Sequence, residues 1–519
     1  MPFYRRNKLG SMTGKIGDPS ETVVTEEVTA SASGALHDSI APFAIFLITS
    51  AIYFLTRSPG LDEFDSVNFA FGLRQFNLWQ HQPHPPGYPL FIFFGWSIQK
   101  LFGTSPEISL HLVSGFGGGL FVAAWFLIIR LQFNERLAWW TAICLTITPI
   151  VWMTATKVLS DTLSSAFLSF EIFAALYFLE RRSSSALLAT AAFGAAATGA
   201  RPQSILVVVL IFVIALKRGR AGRKMSILSS SMFVAGCLAW LLPTWYLQAR
   251  LQPNVPAWLA YPELLYGQWQ WRLDNPYAFI GAGKWNLHYL TVRFAEHFLG
   301  WFGLGFGFIQ SAPVLVIGIA FVVFGLAVYM RSLQSVDRQF WKFHAPWALL
   351  HIAIIFVALG GKQRYYLVIF PLLLVAILRG VLQMARPWNR IALLFPALLL
   401  YVTVPAAIQN HHEESPPIRL VRYLNQLYPP SQRPNVALLF MNARRNAEWY
   451  APEFTIFQDP PPPADLPNLL ASATAIYTDD ARVALPNGWH RVPLAVFQRS
   501  VIIHTKQHFL TLFLVDRHS

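Results

Sequence analysis

Three carboxylates fall within four residues in Gly60-Leu61-Asp62-Glu63-Phe64-Asp65-Ser66, directly after the first long apolar run of the chain. Like charges this close repel, and at a membrane surface they also lose hydration. A carboxylate here could take the proton of an acceptor hydroxyl as a general base, or the group could hold a divalent cation. The ordinary alternative is a helix start, with Asp62 and Glu63 set against the positive end of the following helix. Spacing alone does not choose among Asp62, Glu63 and Asp65 as the base.

The next segment reads His81-Gln82-Pro83-His84-Pro85-Pro86-Gly87-Tyr88-Pro89. Its prolines force a stiff, extended chain. His81, His84 and Tyr88 could bind a polar ligand there, or the histidines could sit in water on a rigid turn. Further along, Lys157 and Asp161 lie at one interruption of the apolar pattern and Arg201 at another. Lys362, Arg364 and Tyr365 lie at a third. Ionisable residues at membrane depth are functional candidates, and Arg and Lys suit a phosphate as fork and point charge. Snorkelling toward lipid headgroups is the ordinary alternative. Glu263 and His297 (with Arg293 and Glu296) lie among aromatic residues that could stack on a sugar, or could simply form an interfacial belt. Arg444 and Arg445 read as solvated surface.

The elements that must position these groups are apolar. Of 519 residues, 54% are hydrophobic and 13% charged, against about 25% charged in soluble chains. Stretches at 40–56, 107–130, 136–156, 162–180, 185–200, 202–217, 227–249, 312–331, 343–361, 365–384 and 390–409 approach the roughly 20 residues a span needs. The expected fold is an α-helical polytopic membrane protein with about eleven transmembrane helices. The net charge of +14 would raise nucleic acid in a soluble protein. Here its basic residues fall in short loops, at Arg130/Arg136, Arg181/Arg182, Lys217 to Lys224, Arg331 to Lys342 and Arg386/Arg390. That is the positive-inside pattern, so no nucleic-acid partner is expected and membrane lipids are.

With the N-terminus cytoplasmic, every one of these loops falls inside. Counting the apolar run Tyr88 to Phe102 as a span would invert the later ones, so it reads as an interfacial helix on the outer side. Residues 1–38 read as a disordered cytoplasmic tail and 39–410 as the membrane domain, with outer loops at 57–106 and 250–311. Residues 411–519 are polar and carry short β-like runs at 436–440, 475–477 and 509–515, with a helix-like 442–450. They read as a small extracytoplasmic α/β domain. Cys144 and Cys237 lie in apolar runs with no redox or metal spacing. No internal repeat is visible, which weighs against a transporter or flippase of a lipid-linked substrate. The clustered charges weigh against a passive scaffold.

Over residues 40–410 this pattern resembles the GT-C superfamily of integral membrane glycosyltransferases, which includes protein O-mannosyltransferases and lipid A aminoarabinose transferases. Asp65-Ser66-Val67-Asn68-Phe69-Ala70 occupies the place of the family's acidic motif, with Asp62-Glu63 one turn earlier. His84-Pro85-Pro86-Gly87-Tyr88-Pro89-Leu90 is similar to a segment of a bacterial branch. Asp161, Arg201, and Lys362, Arg364, Tyr365 and Pro371 resemble the family's later acidic, basic and basic-aromatic positions. The resemblance implies a polyprenyl-phosphate sugar donor and a lipid, glycan or protein acceptor. It implies hexosyl or pentosyl transfer with inversion, on the outer face of a bacterial inner membrane. Asp65, Glu63 and Asp62 would then supply the base. Arg201, Lys362, Arg364 and Tyr365 would hold the donor phosphate, and His81, His84, Tyr88, Lys157, Asp161, Glu263 and His297 would surround the substrates. No cofactor is certain; a divalent cation is compatible with the carboxylates, and relatives often work without one.

Overall fold

A chain segment in lipid must satisfy its backbone polar groups internally, so apolar runs of this kind form helices. The computed structural model describes residues 40–274, 286–358, 362–385, 387–458, 461–504 and 507–517. The expected N-terminal tail lies outside these residues. Among the described residues, seven helices are long and apolar enough to cross a membrane, including Pro106–Gln132, Asp161–Arg181, Arg223–Leu251 and Ala312–Arg331. The pair Glu135–Ile147 and Pro149–Ala155, bent by 56°, makes up to eight. Three shorter apolar helices, Ile40–Leu55, Ser184–Ala200 and Phe370–Leu382, stand where the remaining spans were expected. Between helices Arg223–Leu251 and Ala312–Arg331, the stretch expected as a long outer loop holds helices Ala260–Asp274 and Leu287–Phe298.

Helix Pro106–Gln132 is largely buried and packs along Asp161–Arg181. Small residues allow this. A Cβ on Gly117 would sit 2.6 Å from Leu163 N and 2.8 Å from Leu163 Cα, so only glycine permits the approach. The bend at Thr148-Pro149 follows from proline, which cannot continue the hydrogen-bond ladder. The turn at residues 156–160, between helices Pro149–Ala155 and Asp161–Arg181, carries Lys157. Pro202 acts alike, closing helix Ser184–Ala200 so that Arg201 stands at the break with extended backbone.

The C-terminal part folds around one five-stranded sheet. Strands β1 (Val436–Leu439), β2 (Thr455–Ile456), β3 (Ala475–Thr478), β4 (Trp489–Gln498) and β5 (Phe509–Arg517) take the order β2-β1-β3-β5-β4. β2, β1 and β3 run parallel, with Val436 opposite Ala475, and β5 and β4 pair antiparallel. β1 and β3 are buried along their length, as central strands covered on both faces must be. Helices Pro416–Leu427 and Arg444–Tyr450 complete one core through Leu420, Leu424, Leu438, Phe440 and Ala447. β2 and β4 carry no clear sequence signal. β4 holds Pro493 and is irregular between Pro493 and Ala495, which an edge strand tolerates.

Helix Arg444–Tyr450 packs on helix Phe64–Arg74, which follows the first apolar helix. Trp449 meets Phe71 edge-on with ring centres 5.0 Å apart, and the Arg74 guanidinium lies 3.7 Å from the Trp449 ring centre. Leu61 N donates to Tyr450 Oη at 2.8 Å, and Asn446 Nδ2 donates to Leu61 O at 2.9 Å. The C-terminal domain thereby grips the backbone one residue ahead of the carboxylates.

Candidate active site

Helix Phe64–Arg74 begins one residue after Glu63, which sits at its N-cap without using its side chain to cap. Both carboxylates stand at the helix start and both are also paired with cations, Glu63 with Arg364 and Lys157 and Asp62 with Arg499. Arg364 comes from the short turn Gln363–Tyr366 and forks between two carboxylates, Nη1 donating to Glu63 Oε2 and Nη2 to Asp65 Oδ2. The other Glu63 oxygen lies 3.5 Å from Lys157 Nζ and 3.4 Å from His504 Nε2. Arg364 Nε approaches Asp161 Oδ2 at 3.9 Å, and Arg201 Nη1 donates to Asp161 Oδ1. Asp65 Oδ1 faces His84 Nδ1 at 3.7 Å, and His84 Nε2 lies 2.8 Å from the Tyr88 hydroxyl. Gln203 Nε2 donates to that hydroxyl at 3.0 Å.

Exposure separates the three carboxylates. The side chains of Asp62, Glu63 and Asp65 are 0%, 7% and 24% exposed. Asp62 is closed off by Arg499, Glu63 is enclosed by Arg364, Lys157 and His504, and Asp65 is the most exposed of the three. Burial pushes Glu63 and Asp65 upward, yet both are held well below the usual carboxylate range by the cations around them, Arg364 being common to both. Burial lowers Lys157 to about 8, with Glu63 opposing the fall. Burial also lowers His84 and His504 to about 4 each, against the pull of Asp65 and Glu63, so both imidazoles are neutral at neutral pH.

Two small clefts meet at Arg364. One, about 20 Å³, is lined by Glu63, Lys157, Lys362, Arg364 and His504. The other, about 60 Å³, has Asp161, Arg201, Arg364 and Tyr365 at its polar part, beside Leu168, Ile354, Ile355 and Val368. The Tyr365 ring lies 5.1 Å from the Arg201 guanidinium and 5.6 Å from that of Arg364. A cationic end that continues into an apolar lining has the character of a lipid phosphate site. Among the described residues no group of three or more His, Cys, Asp or Glu is arranged to hold a metal ion. The carboxylates are matched by Arg and Lys instead, so no chemical step is assigned to a divalent cation.

The structure thus brings together Asp62, Glu63, Asp65, His84, Tyr88, Lys157, Asp161, Arg201, Lys362, Arg364 and Tyr365. It leaves three expected residues elsewhere. Glu263 is exposed on helix Ala260–Asp274. His297 is buried against Tyr366, with its Nδ1 hydrogen-bonded to the Tyr366 hydroxyl. His81 lines a different cavity, beside Arg444 and Arg445. Arg445 also departs from the solvated surface expected of it, at 7% exposed. Sequence reasoning missed Arg499 and His504. Both lie in the polar tail, where an Arg and a His look like surface.

Residues 83–247 match the family model described as dolichyl-phosphate-mannose-protein mannosyltransferase. None of the curated proteins matches the sequence. Among solved structures, the chain is similar to ArnT from Cupriavidus metallidurans bound to undecaprenyl phosphate. That similarity has a TM-score of 0.52 at 14% identity and covers 92% of this chain and 97% of that one. The apo state of the same enzyme gives 0.50 at 14%, covering 93% and 98%. An Archaeoglobus fulgidus oligosaccharyltransferase in complex with Zn and sulfate gives 0.50 at 14%, covering 84% of this chain and 68% of that one. The chain has the fold of the GT-C integral membrane glycosyltransferases, and the stretch holding His84, Lys157, Asp161 and Arg201 matches the dolichyl-phosphate-mannose-protein mannosyltransferase family model.

Proposed function

We propose that the protein transfers a sugar from a polyprenyl-phosphate donor to an acceptor hydroxyl, with Asp65 as the base. The observation that carries this reading is the arrangement around Arg364. One guanidinium holds Asp65, the most exposed of the three clustered carboxylates, and also lines a cleft that runs from cations into apolar side chains. Undecaprenyl phosphate bound to the structurally similar ArnT supports a donor of this class.

In this mechanism the donor phosphate lies against Arg201, Arg364, Lys362 and Tyr365, and its lipid follows Leu168, Ile354, Ile355 and Val368. Asp65 accepts the proton of the acceptor hydroxyl, whose oxygen forms the new bond to the anomeric carbon. The bond from that carbon to the phosphate oxygen breaks, and polyprenyl phosphate departs with its charge held by the same cations, a contribution made in the transition state. A single displacement inverts the anomeric centre. Phosphate binding competes with Asp65 for Arg364, so donor arrival loosens the ion pair and makes Asp65 a better base. The carboxylate is then most basic when the donor is in place.

The test is reconstitution of wild type and Asp65→Asn with a panel of radiolabelled polyprenyl-phosphate sugars and a membrane extract as acceptor. Transfer by wild type alone, with inverted product configuration by NMR, supports the reading. An active Asp65→Asn enzyme removes Asp65 as base. No turnover by wild type with any donor favours a flippase of a lipid-linked substrate, assayed in the same vesicles.

A further inference from the structure

A cavity of about 510 Å³ opens between the first outer loop and the C-terminal sheet domain, bordered by Trp79, His81 and Gln82 on one side and Arg444, Arg445 and Glu448 on the other. This lies within the roughly 300–1,000 Å³ of small-molecule sites, whereas the two clefts at Arg364 measure about 20 and 60 Å³.

Its charges are not balanced. Glu448 is shared by two arginines, Oε2 accepting from Arg445 Nη1 at 2.6 Å and Oε1 lying 3.6 Å from Arg444 Nε. Arg445 is 7% exposed, yet its Nε has no hydrogen-bond partner among the described residues, and neither does the buried Trp79 Nε1. Two guanidinium groups that share one carboxylate leave a net positive charge at the cavity, which suits an anionic occupant. Burial and the two arginines lower the pKa of His81, which marks the space as electropositive. An indole, side-chain amides and paired guanidinium groups are the groups that recognise a sugar ring bearing an anion.

The cavity also adjoins the reaction centre. Both guanidinium groups lie 5.9 Å from the ring of Phe64, the chain neighbour of Asp65. His81 is three residues from His84, a separation of at most about 11 Å, and His84 faces Asp65 at 3.7 Å.

We propose that this cavity anchors the acceptor, and that the acceptor is a glycan carrying a phosphate or carboxylate group away from its reacting hydroxyl. The proposal rests on the transferase reading above. Arg444 and Arg445 grip the anion, Trp79 borders the ring, and the acceptor extends along the Pro-rich segment to present its hydroxyl to Asp65.

The experiment has two arms, both on the full-length protein in nanodiscs. In the first, binding of glucose 6-phosphate, glucuronic acid and glucose is titrated against wild type, Arg444→Glu and Arg444→Lys, with thermal unfolding as the check on folding. The expected result is binding of one or both anionic sugars in preference to glucose, weakened at least about tenfold by Arg444→Glu, since a charged hydrogen bond is worth this much, and largely kept by Arg444→Lys. Whichever anion binds better identifies the group. Equal binding of glucose, or no effect of Arg444→Glu, overturns the proposal. In the second arm, a membrane extract is divided by anion exchange into acidic and neutral fractions and offered with labelled donor. Label is expected in acidic glycan, with the acceptor KM raised at least about tenfold in Arg444→Glu. Label in neutral glycan or in protein overturns it. A wild-type enzyme that neither transfers nor hydrolyses the donor refutes the transferase reading instead, and the binding arm still decides what the cavity holds.

Discussion

Arg499 Nη2 lies 2.7 Å from Asp62 Oδ2, with both side chains fully shut off from solvent. The pair joins the C-terminal domain to the loop ahead of helix Phe64–Arg74 across 437 residues of sequence. Lys157 Nζ donates to the Ile503 carbonyl and Gln363 Nε2 to the Ile502 carbonyl at 3.2 Å, so the same tail segment closes the wall beside Glu63. The C-terminal domain is thus part of the site's architecture and not an appendage.

Removing one member of that pair leaves a bare charge in the interior. Asp62→Ala or Arg499→Ala should each destabilise the protein by about 3–5 kcal/mol, whereas Asp62→Leu with Arg499→Met should lose far less. Thermal unfolding of these proteins and of the Asp62→Ala, Arg499→Ala double variant in one detergent measures the coupling. Additive losses would mean the two residues act independently.

Asp65→Asn should lower transfer by roughly 10²- to 10⁴-fold, the usual range for a general base, with donor affinity retained. Rates with saturating donor and acceptor, alongside direct donor binding, separate the two effects.

Arg201→Ala should weaken donor binding by at least about tenfold, the worth of a charge-assisted hydrogen bond. It should act on the donor and not on the acceptor. Titration with a non-transferable polyprenyl phosphate gives the affinity, and an unchanged value would remove Arg201 from the phosphate site.

Arg364→Gln should move the acidic limb of the kcat/KM profile upward. Asp65 works ionised, and Arg364 is a main charge holding it well below the usual range against the pull of burial. Without that charge protonation begins at higher pH, and the rate of the free enzyme falls sooner as the solution is acidified. A profile with the wild-type acidic limb would show that other groups set the Asp65 pKa.

Acid should weaken the fold before it protonates the carboxylates. His84 and His504 sit near 4 in the folded chain, against about 6.5 when unfolded. Between those values the unfolded chain takes up protons that the folded one refuses. Stability is therefore full above about pH 6.5 and falls as pH drops toward 4, by on the order of 3 kcal/mol for each imidazole. Unfolding midpoints across this window should fall with pH, and His504→Gln should flatten part of the slope.

Much of the architecture was legible because lipid is an exacting solvent. Apolar runs near 20 residues become helices whatever their neighbours do, and Pro202 marks where Arg201 leaves one. β1 shows as a short apolar run, and β3 and β5 as runs with β-branched and aromatic residues. β4 does not, because an edge strand with one open face can carry His490, Arg491 and Pro493. Residue type and place also pointed to Asp65, Glu63, Arg201 and Arg364, since a charge costs too much in a membrane protein to stand at a span end without cause. The same reasoning overreached with Glu263 and His297, whose aromatic surroundings look the same from sequence whether they line a site or a membrane interface.

What the sequence by itself determined is which long apolar segments are helical and which charges stand at their ends, because both follow from short-range composition and the energetics of burial. Which carboxylate stays most exposed, which cation it meets, and that Arg499 and His504 close the site from the far end of the chain were decided only by the tertiary structure. Asp62, Glu63 and Asp65 are near-equivalent as residues. They become different when one is sealed by Arg499, one is enclosed by Arg364, Lys157 and His504, and one is left the most exposed, and those contacts are set by packing between segments hundreds of residues apart.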